Sequence, residues 1–209
     1  MYQPRHFRQD EPQRWQSLVA QFPLATLVTS TTDGLLANHV PLLWRDAPGG
    51  SLVGHVARAN PLWQIADGQP ALAIFQGPQG YVSPGWYPGK AEHGKVVPTW
   101  NYAVVHCHGR LQVHDDSDWL RVLLQDLTDA HEGHRAQPWQ VGEAPADYLA
   151  AQLRAIVGIE LQIERVEAKF KLSQNKSAAD LAGIQTGLAG EAPSPSLADW
   201  MREAASGDG

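Results

Sequence analysis

The chain has 209 residues, of which 43% are hydrophobic and 18% charged, and this is enough for one globular domain with its own core. A net charge of −6, without a stripe of lysines and arginines, disfavours DNA as a partner. No apolar run approaches the roughly 20 residues of a membrane span. The single cysteine, Cys107, excludes an intramolecular disulfide, so we expect a cytoplasmic protein.

The sequence begins with a helix and continues with strands. Trp15, Leu18, Val19 and Phe22 recur at helical spacing and form one apolar stripe, which Pro23 ends. Alternating and β-branched runs then predict strands, separated by turns rich in Gly, Pro and Asp. The predicted strands cover residues 25–30, 35–44, 51–57, 71–76, a segment within 98–113, 157–163 and 166–172.

Helical segments interrupt the later strands. Residues 119–130 and 148–156 carry apolar side chains at helical spacing, and residues 77–97 form a Gly/Pro-rich connection of a length typical of functional loops. Strands, then helices, then strands again indicate an α+β fold built on a mainly antiparallel barrel. We expect one domain over residues 1–190. Residues 191–209 contain little apolar material and predict a flexible tail, although Leu197 to Met201 could form one docked turn.

A first candidate binding segment is GHVARANP, residues 54–61, where a strand ends and a helix begins. The guanidinium of Arg58 at such a junction can grip a phosphate with two parallel hydrogen bonds. The N-terminus of the helix adds free N–H groups. The alternative is that Arg58 pairs with a surface acid while Asn60 caps the helix.

Two further segments carry polar side chains suited to a ligand. Residues 169–176, KFKLSQNK, place three cations beside hydrogen-bonding side chains, which suits a phosphate or the polar edge of a heterocycle. Residues 97–102, VPTWNY, place two aromatic rings around the amide of Asn101, which can donate to and accept from an imide edge. The alternatives are a helix cap with solvated lysines for the first segment and core aromatics for the second.

The nine histidines do not predict a metal site. His106 and His108 alternate on a predicted strand, and His131 and His134 are three residues apart on a predicted helix. The sequence has no Cys or His quartet with zinc spacing. It also lacks the GxSxG, P-loop and GxGxxG motifs.

Seven blocks of sequence, taken in order, resemble one known family. The blocks are MYQPRHF (1–7), FPLATLVTS (22–30), ANHVPLLW (37–44), GHVARANPLW (54–63), IFQGPQGYVSPGWYPGK (74–90), VPTWNYAVVHCHG (97–109) and KFKLSQNKS (169–177). In this order they resemble the PaiB-type FMN-binding negative transcriptional regulators, of the FMN-binding split-barrel superfamily. The resemblance extends from residue 1 to about residue 190.

This resemblance implies a fold, an assembly and a set of site residues. The fold is a six-stranded antiparallel split β-barrel with flanking helices, in a homodimer with flavin mononucleotide (FMN) between the subunits. By position, Arg58 is the main phosphate ligand. The remaining residues implied to contact or enclose FMN are Asn38, His39, Val40, Pro41, His55, Val56, Ala57, Asn60, Trp100, Asn101, Lys171, Ser173, Gln174 and Asn175.

Three functions remain open from the sequence. The family implies a flavin-dependent negative transcriptional regulator, although the acidic chain shows no helix-turn-helix signature. The first alternative is an FMN-dependent oxidoreductase that takes hydride from a nicotinamide. The second is a flavin or haem carrier. No residue is assigned to catalysis; Tyr81, Tyr87, His39 and His55 are candidates by residue type only.

Overall fold

The computed structural model describes residues 1–190 and 195–206. Its strands are β1 (Leu24–Thr31), β2 (Gly34–Pro41), β3 (Leu43–Arg45), β4 (Ser51–Ala57), β5 (Pro70–Val82), β6 (Thr99–His114) and β7 (Ile156–Lys171). Its α-helices are α1 (Pro12–Gln21), α2 (Leu62–Ile65), α3 (Gly89–His93), α4 (Ser117–Glu132), α5 (Ala146–Arg154), α6 (Ala178–Gly190) and α7 (Pro195–Ser206). Short 3₁₀ turns lie at Arg5–Phe7, Pro84–Trp86 and Val141–Glu143.

The strands form one antiparallel sheet in the order β2-β1-β5-β6-β7-β4-β3. Within the described residues the sheet is not closed, so β2 and β3 are its edges. This confirms the α+β class and the antiparallel sheet. None of the described helices is both long and apolar enough to cross a lipid bilayer.

The chain divides into two compact units. The first unit comprises Met1–Leu18, Gln76–Val105 and Glu167–Gly209. The second unit comprises Val19–Phe75 and His106–Val166.

In the second unit, the hairpin of β1 and β2 turns where Asp33-Gly34 predicts it. Thr31 pairs with Gly34, and the φ of +118° at Gly34 is one that a residue with a side chain rarely adopts. At the other edge, β4 pairs with both β3 and β7. Val53 of β4 packs with Leu120 and Leu123 of α4, which form a core cluster under the helices.

In the first unit, the N-terminal segment runs beside the end of β7. Gln9 N–H donates to the carbonyl of Ala168 over 2.9 Å, and Arg8 forms a β-bridge with Lys169. The N-terminal ammonium bonds Glu167 over 2.7 Å. These contacts tie the chain terminus to the strand that carries the lysine-rich segment.

The structure has seven strands, where the family resemblance implies six, and two strand boundaries differ from those predicted from the sequence. The segment 35–44 was expected as one strand, but Pro41 has no N–H to donate, and Leu42 N–H donates to Pro23 over 2.9 Å. The strand therefore ends at Pro41 and β3 starts at Leu43. Segments 157–163 and 166–172, which were predicted as two strands, form the single strand β7. Glu164 and Arg165 between them are exposed and continue the strand.

The tail expected over residues 191–209 includes a helix. Helix α7 covers Pro195–Ser206, and Leu197, Trp200 and Met201 on it are buried. The ring of Trp200 packs edge-on against Phe170, with 5.1 Å between ring centroids. Residues 191–194 and 207–209, also in the expected tail, lie outside the described residues.

Candidate functional site

The fifteen predicted site residues divide between the two units. Nine lie in the second unit, on β2, on β4 and in the turn that follows β4: Asn38, His39, Val40, Pro41, His55, Val56, Ala57, Arg58 and Asn60. Six lie in the first unit, at the start of β6 and the end of β7: Trp100, Asn101, Lys171, Ser173, Gln174 and Asn175.

Strands β2 and β4 approach each other in the second unit although they are not hydrogen-bonded neighbours in the sheet. The approach requires Gly54, because a Cβ atom there would lie 2.7 Å from the Pro41 carbonyl oxygen and 2.7 Å from the Leu42 side chain. Val40 and Val56 are both buried at this corner. The close approach thus brings two predicted binding segments together.

An amide pair joins the end of β2 to the turn after β4. Leu62 N–H donates to Asn60 Oδ1 over 2.9 Å, so the Asn60 amide nitrogen must point the other way. Asn60 Nδ2 then donates to Asn38 Oδ1 over 2.8 Å. This chain of bonds fixes the orientation of Asn38, whose Nδ2 is buried and has no hydrogen-bond partner among the described residues.

Another unpartnered group among the predicted site residues of this unit is the imidazole of His55. Its Nδ1 is buried without a hydrogen bond among the residues that the structure describes. Burial lowers the pKa of His55 from its ordinary value of 6.5, because the cation is poorly solvated there. The ring is therefore held neutral, with one nitrogen able to donate and the other to accept.

The nine residues of the second unit do not all face one way. His39, Pro41 and Ala57 are exposed, whereas Val40 and Val56 are buried. Successive side chains of a strand point to opposite faces, so a flat ligand on one face meets only some of them through side chains.

Arg58 is held by a carboxylate and two backbone carbonyls. Its Nη1 and Nη2 donate to the two carboxylate oxygens of Asp115 over 2.9 and 2.5 Å. Its Nε donates to the carbonyl of Arg154 over 2.7 Å, and Nη2 also donates to that of Ile156 over 3.1 Å. The hydrogen bond with Arg58 lowers the pKa of Asp115, so the carboxylate is charged at neutral pH. A phosphate that binds Arg58 must compete with Asp115.

In the first unit, Lys171 and Ser173 join the end of β7 to the start of β6. Lys171 Nζ donates to Thr99 Oγ1 and, over 2.7 Å, to the carbonyl of Trp100. Ser173 Oγ donates to Asn101 Oδ1 over 3.0 Å, and both residues are buried. The φ of +66° at Ser173 turns the chain sharply out of β7, a conformation that is uncommon for residues other than glycine.

Two of the six residues have other structural partners. Gln174 closes a local turn, since its Oε1 accepts from Leu172 N–H over 2.8 Å and its Nε2 donates to the Phe170 carbonyl over 2.5 Å. The indole of Trp100 is half exposed and donates to Gln79 Oε1 over 3.1 Å.

A cavity of about 230 Å³ opens beside this cluster in the first unit. Asn101, Lys171, Ser173 and Asn175 line it, as the sequence-based set would suggest. Six further residues also line it: His6, Phe7, Tyr87, Val97, Thr99 and Lys176. Lys176 belongs to the lysine-rich segment and could have been included in the predicted site. Nothing in the sequence shows that Tyr87 lies beside this segment in the fold.

Comparison with known proteins identifies the family. Residues 1–165 match the family described as "Putative FMN-binding domain". The chain belongs to this family. The match confirms the family resemblance seen in the seven sequence blocks.

A relative from Bacillus subtilis (strain 168), named Protease synthase and sporulation protein PAI 2, is 30% identical over 186 residues. The alignment covers 88% of this chain and 87% of that relative.

Two solved structures have a similar fold. A FAD and haem binding protein from Mycobacterium smegmatis superposes with a TM-score of 0.60 at 20% identity, covering 84% of this chain and 78% of that chain. The flavocytochrome Anf3 from Azotobacter vinelandii superposes with a TM-score of 0.56 at 16% identity, covering 78% of this chain and 69% of that chain. At these identities the likeness concerns the fold alone.

Proposed function

We propose that this protein binds FMN at the corner of β2 and β4 in the second unit. The buried, unpartnered amide nitrogen of Asn38 carries the proposal, because no group in residues 1–190 and 195–206 meets its hydrogen-bonding requirement. An isoalloxazine ring presents carbonyl oxygens along one edge and apolar faces elsewhere. A site with few polar groups beside buried valines suits such a ligand.

The fifteen residues implied by the family remain proposed ligands. In the second unit, Asn38 would donate to a carbonyl oxygen of the ring and the neutral His55 would supply a second polar contact. Arg58 would hold the phosphate in exchange for Asp115. Bound FMN supplies an acceptor of electrons, while these side chains only bind and orient it.

An exchange of Asn38 for Asp tests the ring contact. The Oδ atom that accepts from Asn60 is kept, but the donor is replaced by an oxygen that repels a carbonyl. We expect Asn38→Asp to weaken FMN and riboflavin alike, by about tenfold or more if one hydrogen bond turns into a repulsion. Gln64→Glu adds the same charge at an exposed position of α2 and should leave both affinities unchanged. Unaltered flavin binding by Asn38→Asp would contradict the proposed site.

We propose that this protein is a homodimer. Strand β2 carries part of the candidate site and is an edge of the sheet, with unpaired backbone groups along one side. Leu24 and Leu35, on the β1–β2 hairpin, are 59% and 79% exposed. A second copy of the chain would cover such an edge. Sedimentation velocity would show whether the mass is that of one chain or of two.

The role that we propose is negative regulation of transcription in response to flavin. The likeness to the relative from Bacillus subtilis supports it, because that protein is named for protease synthesis and sporulation. A net charge of −6 favours action through a partner protein over direct contact with DNA.

Two measurements separate this role from its alternatives. A salt-sensitive, sequence-preferring gel shift would establish direct DNA contact, and its absence would leave a protein partner. Rapid anaerobic bleaching of the bound flavin by NADH or NADPH would contradict a purely regulatory role and indicate an oxidoreductase.

A cytoplasmic location is also proposed. Cys107 is fully buried in the second unit, and burial raises the pKa of its thiol to about 12. As the single cysteine of the chain it also forms no intramolecular disulfide, which fits a reducing compartment.

A further inference from the structure

The cavity of the first unit is too small for a whole flavin. At about 230 Å³ it is below the roughly 300–1,000 Å³ of sites for drug-sized ligands. Its polar lining groups converge from four segments: His6 near the N-terminus, Tyr87 from the loop after β5, Thr99 and Asn101 from β6, and Lys171, Ser173, Asn175 and Lys176 at and after the end of β7. The cavity therefore fits one small polar group.

The lysines at this cavity are not neutralised by acids. Lys171 bonds only uncharged oxygens, those of Thr99 and Trp100. Lys176 lies over the ring of Tyr87, with Nζ 5.3 Å from the centroid. In residues 1–190 and 195–206, neither lysine forms an ion pair with a carboxylate.

A third lysine strengthens the positive potential. Lys169 is only 8% exposed, and its Nζ lies 5.4 Å from the ring centroids of both Tyr2 and Tyr102. Burial, followed by the charges of Lys169 and Lys176, lowers the pKa of Lys171. Burial and the neighbouring cations thus make the ammonium form of Lys171 less favourable, and a bound anion would offset both effects.

The hydroxyl of Tyr87 is the second independent sign of a ligand. Tyr87 is 3% exposed, and its hydroxyl makes no hydrogen bond among the described residues. The nearby Ser173 hydroxyl donates instead to Asn101. Burial and then Asp180 raise the pKa of Tyr87, and the neighbouring Ser173 hydroxyl lowers it in part; the net rise means that the phenol keeps its proton and remains a donor. Asp180 itself accepts from Gly89 N–H over 3.2 Å.

We propose that this cavity binds a phosphate group, held by the ammonium groups of Lys171 and Lys176 and by the hydroxyl of Tyr87. Two cations and a neutral donor from separate segments suit a tetrahedral oxyanion, which offers several acceptor oxygens. The group belongs either to free phosphate or a small phosphate ester, or to FMN itself. The inference does not depend on flavin binding at β2 and β4.

Titration with inorganic phosphate tests the site directly. The full-length protein is titrated by calorimetry at constant ionic strength, with chloride as the reference salt. We expect saturable phosphate binding to the wild type, weakened about tenfold or more in Lys176→Met and in Tyr87→Phe. Tyr87→Phe keeps the buried ring, so its loss of phosphate binding reports on the hydroxyl. Lys90→Met removes an exposed lysine that does not line the cavity and should bind phosphate as the wild type does.

Phosphate that binds no more tightly than chloride, or equally to all four proteins, would overturn the proposal. The source of the phosphate follows from a second titration in the presence of flavins. If FMN competes with phosphate and riboflavin does not, the cavity holds the phosphate of FMN. If phosphate still binds to protein saturated with FMN, the ligand is a separate one. Binding of phosphate without any flavin binding would sustain this inference while the proposed function fails.

Discussion

At the residue scale, the partners of Arg58 decide how it could act on a phosphate. The residue was predicted either to grip a phosphate or to pair with a surface acid, and in this structure its guanidinium bonds Asp115. The side chains of the pair are 37% and 52% exposed, so water and a charged ligand can reach them. Asp115 therefore competes with a bound phosphate for the guanidinium of Arg58, and mutation can test this competition.

Arg58→Ala should weaken FMN about tenfold or more and leave riboflavin nearly unchanged, because only FMN has the phosphate that a charge-assisted hydrogen bond would hold. Asp115→Asn should have the opposite effect and strengthen FMN, since it removes the competing charge. Fluorescence quenching of each flavin gives the affinities. Equal losses for FMN and riboflavin in Arg58→Ala would place the phosphate elsewhere.

His55 leads to a prediction about pH. Its pKa is lowered in the folded protein, so below 6.5 the unfolded chain takes up a proton that the folded chain resists. The contribution of neutral His55 to the free energy of unfolding is fully present above the ordinary pKa of 6.5, and it is lost as the pH falls below that value. We expect the free energy of unfolding to drop more between about pH 7.5 and pH 5.5 in the wild type than in His55→Gln. A free energy of unfolding that changes with pH in the same way in both proteins would contradict this prediction.

Single residues could be predicted only where their chemistry is local. A helix cap was the alternative interpretation of Asn60, and its Oδ1 does accept from the N–H of Leu62, the first residue of α2, while Pro61 occupies the capping position itself. The unpartnered state of Asn38 and the position of Tyr87 depend on distant parts of the chain. No spacing rule reveals a contact that only the tertiary fold creates.

At the element scale, local patterns predicted most strands and missed some of their ends. The β1–β2 hairpin follows from β-branched runs around Asp33-Gly34. Strand β5 continues to Val82, although residues 77–97 were read as a connection, because Gly77 and Gly80 lie where side chains pack against the backbone. A Cβ at Gly77 would lie 2.9 Å from Leu18, which explains a glycine inside a strand.

Helix α7 was expected at most as one docked turn over Leu197 to Met201, and it is longer than that. Leu197, Trp200 and Met201 have helical spacing, but they stand among small and polar residues that usually predict a mobile tail. Burial of these three side chains within the first unit, in a segment that is also rich in the helix formers Ala, Arg and Glu, stabilises the helix.

The packing of α6 against Trp86 can be tested at two glycines of this helix. A Cβ at Gly187 would lie 2.2 Å from Trp86 Cδ2, so Gly187→Ala should reduce the free energy of unfolding by about 1–3 kcal/mol through overpacking. Gly190→Ala, in the same helix, meets nothing within 4 Å and should be neutral or slightly stabilising. Urea denaturation measures both. Equal stability of the two variants would mean that Trp86 does not pack on α6 in this way.

At the scale of the whole molecule, the family and the fold are established more firmly than the function. The match over residues 1–165 and the open seven-stranded sheet agree with a flavin-binding protein. A resemblance of seven blocks could predict the family because the blocks occur in one order along most of the chain, which a chance match to a single short block would not give. The partner, the DNA target and the redox chemistry leave no comparable pattern in one chain.

The measurement that tests the central claim most directly is a visible absorption spectrum of the purified protein, followed by titration with FMN, riboflavin and haem. We predict a flavin spectrum, or saturable binding in which FMN binds more tightly than riboflavin because its phosphate is held. Failure of the protein to bind either flavin, above all if haem binds instead, would contradict FMN binding and the ligand roles proposed for Asn38 and Arg58.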